Sequence, residues 1–132
     1  MRDATWLFIA LPMWFWSATL HSVPGVAVAA CLVAGAGIGV VRRQWPLLWF
    51  VAPIALGQGY VAVAGLLRGV LHGRDGIGVG LVFVGLQVGA VVLVSRRWCG
   101  RWAAAIPLAV FCLAYALFAW FVGGMAFADD WI

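Results

Sequence analysis

Apolar residues run along this chain in five long windows, at about residues 4–20, 24–41, 45–67, 77–95 and 103–127, separated by short polar or glycine-rich links. A hydrocarbon core about 30 Å thick is crossed by roughly 20 helical residues, with a range of about 17–25. The windows have that length, so the pattern predicts an all-α polytopic transmembrane bundle of five spans in one domain, 1–132. Pro12 and the aromatic run Trp14-Phe15-Trp16 interrupt the first window. Four spans plus a non-spanning first segment is therefore the alternative. Links this short make sequence neighbours pack antiparallel, as in up-and-down bundles.

The third and fourth windows form the element that orients the rest. Arg42-Arg43 precede the third and Arg96-Arg97 follow the fourth, so an antiparallel hairpin brings both pairs to one side of the membrane. Five spans place Arg2, Arg42, Arg43, Arg96, Arg97 and Arg101 on that side, six arginines against Arg68 and Arg74 on the other. The positive-inside bias then makes the N-terminus cytoplasmic and the C-terminus external. All eight basic residues are Arg, and Lys, Glu and Asn are absent from an Ala/Gly/Val-rich chain. That usage points to a GC-rich bacterial genome, and hence to the bacterial inner (plasma) membrane.

Composition removes the soluble classes. With 67% apolar and 9% charged residues, and a mean hydropathy of +1.11, the surface is too apolar to face water. The net charge of +4 sits in the links between windows. It therefore reads as topology, with no nucleic-acid partner implied. Cys31, Cys99 and Cys112 form no paired framework and no metal-ligand spacing, and read as free thiols. The first window runs into Met13-Trp14-Phe15-Trp16 where a cleavage site needs small residues, so it is expected to be retained.

Small residues mark packing faces. Gly35 and Gly39 in the second window, and Gly85 and Gly89 in the fourth, stand in GxxxG register. Such faces let helix backbones approach closely where lipid removes the ordinary hydrophobic incentive to associate. The second window, slim along Ala27, Cys31 and Ala34 as well, is expected inside the bundle. A shift of 54 residues lays Arg42 on Arg96, Arg43 on Arg97 and Pro53 on Pro107. This faint echo would make the second and third helices a parallel repeat of the fourth and fifth.

Candidate chemistry is sparse. Counted inward from the link between them, Gln58 and Gln87 lie at matching depth on paired helices, so their amides are expected to hydrogen-bond each other. With Tyr115 they could instead line a polar path. His21, His72 and Asp75 fall on the arginine-poor face, but come without spacing that preorganises a metal site. Neither histidine lies mid-span as haem ligation needs, so no metal and no cofactor is expected. No acid or base lies within a window, and no nucleophile–base set can be placed at one depth. Three functions follow in order of preference. The first is a non-catalytic subunit packing into a larger membrane complex or against itself. The second is a small transporter or channel for a neutral or apolar solute, with its path at Gln58 and Gln87. The third is a lipid-modifying enzyme, so a catalytic role is left open and disfavoured. The implied partners are the lipid bilayer and other membrane subunits or a second copy.

Overall fold

The computed structural model describes residues 2–67, 74–97 and 102–128. Five α-helices, α1 (Arg2–Leu20), α2 (Val23–Val41), α3 (Val51–Leu67), α4 (Arg74–Arg97) and α5 (Trp102–Ala128), make up the chain together with one 3-10 segment, Trp45–Phe50, and no strand occurs among the described residues. Helices are the form an apolar chain takes in lipid, because each backbone N–H and C=O finds its partner inside the same segment. Four stretches are long and apolar enough to cross a membrane: Val23–Val41, Trp45–Leu67, Gly76–Arg97 and Trp102–Ala126. The apolar part of α1, Thr5–Leu20, is shorter.

The turn between α1 and α2 is built from local hydrogen bonds. Thr19 Oγ1 donates to the Phe15 carbonyl at 2.8 Å, and the Ser22 hydroxyl accepts from the Gly25 N–H at 3.1 Å. Ser22 is thereby the N-cap of α2, with Pro24 in the first turn, where its missing N–H costs nothing. Gly25 is required here, since a β-carbon on it would lie 2.3 Å from the Thr19 carbonyl oxygen.

At the other end of α2 the chain turns through a Schellman motif. The Gln44 N–H bonds the Gly39 carbonyl at 2.7 Å and the Arg43 N–H bonds that of Val40 at 3.0 Å. Arg43 sits in the left-handed region, φ 50°, at the position glycine most often fills. The next window departs from expectation: instead of one helix over 45–67, the first six residues are 3-10 and the α-helix begins at Val51. Pro53 explains the break, since it has no N–H for the Trp49 carbonyl and its ring collides with that group.

α5 is the centre of the bundle and packs on α2, α3 and α4. Of the α5 window 44% is buried, against 11% for α2. α2 is therefore peripheral, contrary to the expectation from its small residues. Its glycines do seat it, with Gly35 facing Leu108 and the Ala104 carbonyl of α5 and Gly39 facing Leu47. Among the described residues the backbones of α2 and α3 do not come close, although α4 and α5 pack extensively. The two halves of the internal echo are thus not equivalent, and sequence neighbours do not all pair. α1 contributes Leu7, Leu11 and Phe15 to the core, at spacings of four residues along one face.

Arg43 in a left-handed conformation carries a steric cost that glycine lacks, about 1 kcal/mol. Arg43→Gly is expected to raise stability by about that amount, read from unfolding in detergent micelles. Equal or lower stability would contradict the turn geometry.

Candidate functional site

Gln58, Gln87 and Tyr115 meet inside the bundle, one each from α3, α4 and α5. Gln58 Nε2 donates a hydrogen bond to the Tyr115 hydroxyl. The Gln87 side chain is 1% exposed, and its Nε2 occupies the space left by the missing side chain of Gly57. A β-carbon on Gly57 would lie 2.9 Å from that nitrogen and 3.3 Å from the Tyr115 ring. Gly57 is therefore a notch in α3 that lets an amide from α4 and a phenol from α5 reach the same layer.

The expected Gln58–Gln87 hydrogen bond is not made. Gln58 turns to Tyr115, and both Gln58 Oε1 and Gln87 Nε2 are buried without a hydrogen-bond partner. The phenol ring that Gln58 meets is contacted on two sides. Phe15 of α1 contacts it edge-on with centroids 4.9 Å apart, and Phe111, one turn earlier on α5, stacks at 6.3 Å. Phe15 also meets Phe111 and Phe118 edge-on, so α1 joins the cluster. Amides and a phenol here can bind and orient through hydrogen bonds. No described acid, histidine or thiol joins them.

A second tyrosine, not singled out by the sequence, does comparable work one turn along α3. The Tyr60 ring fits between α4 and α5 at two glycines. A β-carbon on Gly123 would lie 2.3 Å from Tyr60 Cε1, and one on Gly80 would lie 2.9 Å from both Tyr60 Oη and Trp120 Nε1. Phe83 of α4 packs on the same ring at 5.3 Å. The available signal was that the chain has two tyrosines, both within apolar windows. Gly57 was missed too, although its place beside Gln58 in Gly-Gln-Gly was the visible cue.

The face with the histidines gives less. His21 Nδ1–H donates to the Ser17 carbonyl at 2.6 Å and thereby ends α1. His72 lies outside the described residues, and Asp75 falls in the first turn of α4, its side chain outside the described set. Among the described residues no three His, Cys, Asp or Glu side chains are grouped to hold a metal ion. Cys112, on α5, donates its thiol to the Phe50 carbonyl at 3.4 Å, at the junction where the 3-10 segment becomes α3.

Of the four packing glycines expected, the structure divides two from two. Gly35 and Gly39 are buried against this chain's own side chains, whereas a β-carbon on Gly85 or Gly89 would meet nothing within 4 Å. Comparison with protein-family models, curated proteins and solved structures finds no match for this chain.

Buried side-chain hydrogen bonds between transmembrane helices contribute about 0.6 kcal/mol on average and up to about 1.7. A double-mutant cycle of Gln58→Leu and Tyr115→Phe is expected to give a coupling in that range in detergent unfolding. Strictly additive effects would mean that the two side chains do not bond.

Proposed function

We propose that this chain is a non-catalytic membrane subunit that packs, through the outer face of α4, against a further transmembrane helix of a larger complex or of a second copy. The open backbone at Gly85 and Gly89 carries this reading, and Gly78 is open in the same way. At about 100° per residue, positions 78, 82, 85, 89 and 92 share one side of α4. Phe83, Gln87, Val91 and Val94 point the other way, into the bundle. The outer side therefore presents small residues with flanking exposed Val82 and Val92, the combination that allows close helix approach in lipid.

The accompanying topology is N-terminus inside and C-terminus outside in a bacterial plasma membrane, supported by the arginine count of six against two. A transporter for a neutral solute keeps one supporting observation, the unpaired Gln58 Oε1 and Gln87 Nε2. It is less favoured because Gln58, Gln87 and Tyr115 line none of three crevices found among the described residues. Reading them as internal ties leaves the three open glycines of α4 as unused packing capacity.

Cross-linking in native membranes followed by size analysis separates the two uses of glycine. Gly85→Leu with Gly89→Leu is expected to remove the high-mass adducts while leaving thermal stability within about 0.5 kcal/mol. Gly35→Leu is expected to destabilise the bundle itself, because Leu108 Cγ lies 2.6 Å from the added β-carbon. Adducts that persist in the double variant, or a wild type that forms none, would overturn the reading.

A further inference from the structure

A surface to which α4 contributes nothing holds a different kind of site. Because the backbones of α2 and α3 stay apart, and Pro53 forces a 3-10 segment at the start of the span, a crevice is left over α5 between α2 and the start of α3. It has a volume of about 210 Å³, and its wall includes Ala36 and Val40 of α2, Trp45 and Leu48 of the 3-10 segment, and Leu108 of α5. Val40, Trp45 and Leu48 are all more than 60% exposed, so the crevice opens sideways onto the surface. Gln44 is the one amide in its lining, and Gln44 Oε1 is buried without a hydrogen-bond partner.

Charge adjoins the lining of this apolar slot along the chain. The Schellman turn sets Arg42 and Arg43 between Val40 and Gln44, two residues of the lining, with Arg43 next to Gln44 in the chain. Both arginines are exposed, and neither forms an ion pair with a described residue. Trp45 and Trp49, 69% and 62% exposed, are the kind of aromatic that settles at headgroup level. An apolar slot whose lining runs, at Gln44, directly into two exposed arginines with no ion pair among the described residues, beside interfacial tryptophans, matches a molecule with an aliphatic chain and a negative head. Basic pockets between transmembrane helices recognise lipid headgroups by this chemistry.

We propose that the crevice between α2, the 3-10 segment and α5 binds one acyl chain of an anionic phospholipid, with the lipid phosphate held by Arg42 and Arg43. The site shares no residue with the α4 face and stands whether or not the chain assembles with another.

The test is native mass spectrometry of the full chain in detergent, titrated with dioleoyl-phosphatidylglycerol or dioleoyl-phosphatidylcholine. One phosphatidylglycerol is expected to bind roughly tenfold or more tightly than phosphatidylcholine, as two arginines near an anionic group imply. Arg42→Gln with Arg43→Gln is expected to reduce that preference to about threefold or less, a residue set by Gln44 and the remaining charges. Arg96→Gln with Arg97→Gln removes the same charge from α4, a helix that contributes nothing to the crevice wall, and is expected to leave the preference intact. Ala36→Phe, at an exposed lining position, fills the slot and is expected to abolish retention of both lipids. Val40→Trp repeats that block should Ala36→Phe misfold. Equal loss of preference in the two arginine pairs would reduce the effect to diffuse charge and overturn the proposal. So would undiminished retention with both slot variants, or an Ala36→Cys disulfide dimer in membranes, which would make the occupant a second copy's helix.

Discussion

An amide hydrogen left unpaired in hydrocarbon costs about 2–7 kcal/mol, and the hydrogen bond from Gln58 to Tyr115 meets that constraint for Gln58 Nε2 across α3 and α5, while Gln87 Nε2 stays buried without a partner. The consequences spread outward from there. Gln87 must also leave lipid, and it can do so only because Gly57 gives up its side-chain volume beside Gln58. The phenol is flanked by Phe15, which reaches it from α1, a helix packed mainly on α3 and α2. Three spanning helices and the short first one are fixed by a single layer of side chains. α5, which carries the tyrosine, becomes the helix that the others surround.

Glycine does the rest by position. At Gly57, Gly80 and Gly123 the missing β-carbon admits the side chains of Gln87, Tyr60 and Trp120; at Gly35 and Gly39 it admits leucines from α5 and the 3-10 segment. These sites shape the interior, and van der Waals contact there substitutes for the solvent-driven term that lipid removes. Gly78, Gly85 and Gly89 have no such internal use. The same residue type thus serves folding on one side of α4 and, in the function proposed, association on the other.

The five helices were legible because a span is a matter of length and apolarity, and the boundaries follow the polar links to within a few residues. Convergence of Gln58, Gln87 and Tyr115 was half legible. Depth along a helix can be counted at about 1.5 Å per residue, but azimuth cannot, and azimuth decided that Gln58 pairs with Tyr115 instead of Gln87. The centrality of α5 was hidden for a related reason. All the windows are apolar around their whole circumference, so no polar face marks which helix is surrounded. The small residues of α2 suggested an interior helix, yet they form one seam, Gly25, Gly35 and Gly39, on a helix otherwise facing outward. The break before Val51 needed both prolines, Pro46 and Pro53, to be weighed against the apolar run that contains them.

The pairing of Gln58 with Tyr115 is open to direct measurement in lipid. In a Tyr60→Phe chain, which leaves Tyr115 as the one tyrosine, solid-state NMR can measure the distance from an ¹⁵N-labelled glutamine side chain to ¹³Cζ of tyrosine in bilayers. A hydrogen bond from Gln58 Nε2 to the phenol oxygen requires a nitrogen–carbon distance of about 4 Å or less, and the signal should vanish in Gln58→Leu. A closest glutamine nitrogen beyond about 6 Å, or a short distance that survives Gln58→Leu, would contradict the interaction on which the arrangement of α3, α4 and α5 rests.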